Sequence, residues 1–134
     1  MFQRLLPLSV LLSLWVVVAA PAQTTTVSAA DAAPFIGTWK IQMTNPSGSE
    51  QTVKVWEQEG RVAASLAIDR FPPNVMTGVF RDGNMLVLTT TLRENGAPIW
   101  AVIALTVDSG TLSMAQMLEK SQTIKRGTGR RQVD

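Results

Sequence analysis

The chain has 134 residues, 46% of them hydrophobic, with 12 Lys+Arg against 10 Asp+Glu and a formal net charge of +2. That is enough apolar material for the core of one domain. The absence of Cys, His and Tyr excludes disulfides, thiolate metal sites, Cys nucleophiles and the commonest general base and metal ligand.

Met1-Phe2-Gln3-Arg4 opens the chain, and the 16 residues from Leu5 to Ala20 are apolar apart from Pro7, Ser9 and Ser13. Arg4 supplies a positive n-region, and Ala20-Pro21-Ala22 supplies a small-residue cleavage site before Gln23. This is the layout of a secretory signal peptide over residues 1–22, and it predicts a periplasmic or secreted protein. The run falls short of the roughly 20 residues a spanning helix needs, so no stable membrane anchor is expected after cleavage. Cleavage leaves 11 basic residues against 10 acidic ones, which gives no general pull toward nucleic acid.

Residues 23–34 are small and polar and read as a flexible linker. From Phe35 onward, turn signals recur at Asn45-Pro46-Ser47-Gly48, Glu59-Gly60, Phe71-Pro72-Pro73-Asn74, Asp82-Gly83, Asn95-Gly96, Asp108-Ser109-Gly110 and Glu119-Lys120-Ser121. They divide residues 35–128 into eight short runs with no gap long enough for a crossover helix, so the strands pair antiparallel.

Within the runs apolar residues alternate. Trp39, Ile41 and Met43 share one face of the first run, and Val62, Ala64, Leu66 and Ile68 share one face of the third. Leu86, Leu88 and Leu92, then Ile99, Ala101, Ile103, Leu105 and Val107, then Leu112, Met114 and Leu118 repeat the pattern. One buried face per strand, with no amphipathic helix to cover it, requires the sheet to cover itself. The expected fold is all-β, an eight-stranded antiparallel up-and-down β-barrel; a two-sheet sandwich has the same alternation. Trp56 and Trp100 fall on outward parity, which is read as a strand bulge or as an exposed surface for a homodimer or protein partner.

Phe35-Ile36-Gly37-Thr38-Trp39-Lys40, at the head of the first run, resembles the Gly-x-Trp start of the calycins. These are the lipocalins, fatty-acid-binding proteins and avidins, and the fuller string is most similar to the fatty-acid-binding branch. The resemblance implies a lipocalin-like barrel closed at one end by Trp39, with a basic side chain from the last strand across its ring. Arg126, sharing parity with Ile124, is assigned that place, so Gly37, Trp39 and Arg126 are expected to be structural. The Arg-x-Tyr carboxylate clamp of the fatty-acid-binding branch has no counterpart, since Tyr is absent.

The candidate ligand-binding residues are Leu66, Ile68, Met76, Phe80, Leu88, Thr90, Ile103, Met114 and Gln116, on the predicted inner face. Ala64, Gly78 and Ala101 leave room on it. The same residues also read as plain core. Asp82 and Asp108 suit turns, Glu57 and Glu59 suit a solvated strand face, and Ser65 and Ser113 have no His to activate them. No catalytic residue, metal site or cofactor is expected. The basic residues 129–134 read as a C-terminal tail. The function expected is an exported lipocalin-like protein that binds a small hydrophobic ligand inside the barrel. The alternative is a solid barrel that acts through its surface, as a protease inhibitor or interaction module, with residues 23–34 as its arm.

Overall fold

The computed structural model describes residues 27–133; the expected leader and its cleavage site lie outside them. A four-residue helix, α1 (Ala29–Ala32), and a 3-10 turn (Ala33–Phe35) precede nine strands. These are β1 (Gly37–Asn45), β2 (Ser47–Gln58), β3 (Arg61–Ile68), β4 (Asn74–Val75), β5 (Gly78–Asp82), β6 (Met85–Glu94), β7 (Ala97–Asp108), β8 (Thr111–Leu118) and β9 (Lys125–Arg131).

All nine form one antiparallel sheet in the order β4-β3-β2-β1-β9-β8-β7-β6-β5. Each strand pairs with its neighbour in sequence except β4 and β5. The first strand pairs with the last, Trp39 opposite Arg131 and Ile41 opposite Gly129. The ladder is interrupted between β4 and β5, and there the chain itself stitches the seam. The Met76 N–H donates to Ala64 O of β3 at 2.8 Å, and the Thr77 N–H donates to Thr89 O of β6 at 2.9 Å. One curled, continuous sheet excludes the two-sheet sandwich.

The ninth strand comes from this seam. The fourth run of the sequence splits at Met76-Thr77, where it leaves β3 and joins β6. The split also changes parity. Met76 and Val79 both pack on the core, three residues apart, so Phe80 lies opposite Val87 on the outer face. The inward placement expected for Phe80 and Gly78 is therefore corrected: uninterrupted alternation does not survive a break in the strand.

Elsewhere the alternation holds. Trp39, Ile41, Met43, Leu66, Leu86, Leu88, Ile103, Leu105 and Leu112 are buried. β2 and β7 keep regular register along β3 and β6, so no bulge shifts Trp56 or Trp100, and both remain outward. They do not make one surface. Trp56 lies on β2 beside the 59–60 turn and Trp100 near the start of β7, with β1, β9 and β8 between those strands. Among the turns, Glu59-Gly60, Asn95-Gly96 and Ser109-Gly110 have positive φ at both residues, the twist a two-residue hairpin requires.

The segment expected to be a flexible linker is ordered from Val27 onward. Ser28 caps α1 by accepting from the Asp31 N–H at 3.2 Å. Val27 and Ala32 join the core, because the barrel end beside Trp39 offers apolar surface that this short apolar segment covers and closes. The last strand likewise runs to Arg131, past the expected boundary at 128, since β1 and β8 both offer it pairing partners.

Candidate functional site

The two ends of the barrel differ. At one end lie the start of β1 and the turns after β2, β5 and β7. Phe35 and Trp39 are buried there, and the Trp39 indole N–H donates to Phe35 O at 2.8 Å. Arg131 stacks over the Trp39 ring at 4.9 Å, and Arg81 stacks over Phe35 at 5.1 Å. This end is filled and closed.

The cation on Trp39 is thus Arg131 and not Arg126, which is exposed. Antiparallel pairing sets Arg131 opposite Trp39 and Arg126 opposite Asn45, at the far end of β1. Ile124, from which the parity of Arg126 was read, precedes the strand. Inward parity belongs to Lys125, Gly127, Gly129 and Arg131, and the two glycines leave that face to β1 side chains. A Cβ on Gly129 would collide with the Lys40 carbonyl oxygen, and one on Gly127 would lie 2.7 Å from Ile41. Gly37, with φ +140, keeps its place beside the Arg131 side chain.

At the other end the barrel holds a pocket of about 670 Å³. Met43, Ile68, Leu92, Ile99 and Leu118 supply apolar walls, and Phe71-Pro72-Pro73, in the loop after β3, form part of the rim. Phe71 is 67% exposed there. Gln51 and Gln116 also line it, both buried, with Gln51 Nε2 donating to Gln116 Oε1 at 3.5 Å. Gln51 Oε1 is buried and has no hydrogen-bond partner. Two charged side chains, Arg93 and Lys125, complete the lining among the described residues.

Of the nine candidates from the sequence, Ile68 and Gln116 line this pocket. Leu66, Met76, Leu88, Ile103 and Met114 are packed into the core instead. Thr90 is buried and its hydroxyl donates to Val75 O across the seam at 3.4 Å. Phe80 is on the outer face. Gln51 escaped the sequence reading although it shares inward parity with Val53 and Val55, and that parity was the available signal. Among the described residues no group of three His, Cys, Asp or Glu gathers to hold a metal.

A meandering antiparallel sheet whose first and last strands pair, closed by a Gly-x-Trp start and pocketed at the opposite end, forms an up-and-down β-barrel, the fold that the resemblance to the calycins implied. No protein-family model matches the chain, and no curated protein does. Solved structures similar to it include a secretory abundant heat soluble protein from Ramazzottius varieornatus, at 8% identity and a TM-score of 0.45, covering 74% of this chain and 96% of that one. The REP1-NXSQ fatty acid transporter is similar at 12% identity and a TM-score of 0.43, over 77% and 98% of the two chains. A variant of the fluorescent protein UnaG gives 12% identity and a TM-score of 0.43, over 75% and 97%.

Proposed function

We propose that this is an exported binding protein that carries a small, largely apolar molecule in the open end of its barrel. The observation that carries this reading is the pocket of about 670 Å³ in which a lining residue, Gln51, keeps a buried oxygen without a partner. An apolar-walled cavity with a few polar groups at its base is the usual form of a small-molecule site. The chain has neither His nor Cys, so the reading assigns it binding with no nucleophile or imidazole base. Export rests on Arg4, the Leu5–Ala20 run and Ala20-Pro21-Ala22, and an N-terminus at Gln23 in periplasmic or culture fractions is the expected result.

An inhibitor that used residues 23–34 as a free arm is less favoured, because Val27 and Ala32 are buried against the barrel. Native mass spectrometry and organic extraction of the purified protein test the binding reading. A bound small molecule, or displacement of an apolar dye that is lost when Ile99 is replaced by Trp to fill the pocket, is expected. Dye binding that ignores Ile99→Trp would remove the pocket from consideration.

A further inference from the structure

On the reading that the open-end pocket is a ligand site, we propose that its ligand is an apolar chain whose head carries both an anionic oxygen and, within a few bonds of it, an N–H or O–H donor. N-acyl amino acids and hydroxy acids are molecules of this class.

The donor requirement comes from Gln51. It is only 5% exposed, its amide nitrogen is committed to Gln116, and its Oε1 accepts nothing. A buried acceptor with no donor is costly, and a ligand that supplies one recovers that cost as affinity.

The anion requirement comes from Lys125. It is the cross-strand partner of Gln116 and shares its inward parity, so the ammonium stem starts beside the same amide pair. It is half-buried and lines the pocket. The other charged side chain in the described lining, Arg93, is also a cation, and no carboxylate there offsets the two. A partly desolvated cation with no carboxylate in the described lining favours an anionic ligand over a neutral or cationic one.

Neither requirement suffices alone. A bare carboxylate answers Lys125 but sets its oxygens against Gln51 Oε1, acceptor to acceptor. A plain alcohol answers Gln51 and leaves Lys125 unpaired. A head with both groups satisfies both side chains, while Met43, Ile68, Leu92 and Leu118 cover the chain.

The test uses two probes that differ only in the donor, N-dodecanoylglycine and N-dodecanoyl-N-methylglycine, with the methyl ester of the former and dodecanol as neutral controls. By calorimetry on the purified protein, the N–H acid is expected to bind about tenfold more tightly than its N-methyl analogue, the scale of one buried hydrogen bond. Gln51→Leu should erase that difference. Lys125→Met should weaken both acids about tenfold and leave the methyl ester unchanged. Equal binding of the two acids to the unmodified protein overturns the proposal without needing any variant to fold. If dodecanol and the ester bind as well as the acids, the pocket reading stands and this inference falls. If no probe binds, both fall.

Discussion

Arg131 lies across the indole of Trp39, its Cζ 4.9 Å from the ring centroid, while its Nη2 donates to Pro34 O at 2.8 Å. One side chain thereby ties the last strand to the first strand and to the 3-10 turn that covers the barrel end. Arg131→Ala is expected to destabilise the fold by about 1–2 kcal/mol, from a cation–π contact and a charge-assisted hydrogen bond that solvent partly screens. Arg126→Ala, on the outer face, should stay within about 0.5 kcal/mol of the parent. Urea unfolding of the two variants decides between these assignments; equal effects would contradict them.

Gly129 sits where β9 crosses closest to β1. A methyl group there meets the Lys40 carbonyl oxygen, so the backbone and not a flexible side chain must give way. Gly129→Ala is expected to cost about 2–3 kcal/mol, the upper part of the range for overpacking. Hydrogen exchange should show the loss of protection concentrated on the β1–β9 ladder.

Deletion of residues 23–34 removes the buried Val27 and Ala32 and the Pro34 acceptor of Arg131. A stability loss of about 2–4 kcal/mol is expected from the apolar area exposed at the closed end. An unchanged denaturation midpoint would show that this segment contributes nothing to the barrel.

Two leucines separate the core from the pocket. Leu66 is fully buried, whereas Leu118 is half-buried and lines the pocket. Leu66→Ala should cost about 3 kcal/mol, because a closed core cannot collapse around the missing methyls. Leu118→Ala should cost under about 1.5 kcal/mol, since its loss enlarges a space already present. Thermal unfolding of both variants measures the contrast.

Gln51→Met combined with Gln116→Leu replaces the buried amide pair with apolar side chains of similar length. The ligand-free protein should gain about 1 kcal/mol, because the unsatisfied buried oxygen is removed. A site that stabilises its owner when destroyed is one kept for binding, and a loss of stability in this variant would show that the amide pair is structural.

Much of the barrel could be read directly from the residues. The turn pairs such as Asn95-Gly96 demand positive φ, and the alternation of Leu86, Leu88 and Leu92 marks one buried face. Phe80 and Arg126 could not be placed that way. Phe80 follows a break whose position depends on which neighbour, β3 or β6, takes the next hydrogen bond. Arg126 lies in a strand whose inward positions are Lys125, Gly127, Gly129 and Arg131, so no apolar periodicity records its parity.

Period-two burial and left-handed turn residues are local properties, so the residues alone specify an all-β meander headed by Trp39; a cation over that ring was implied by the resemblance to the calycins. Only the tertiary structure decided which arginine reaches Trp39, where the seam falls, and that the interior is packed at one end and hollow at the other. Those depend on how strands from distant parts of the chain align, and the volume left between their side chains belongs to no single segment.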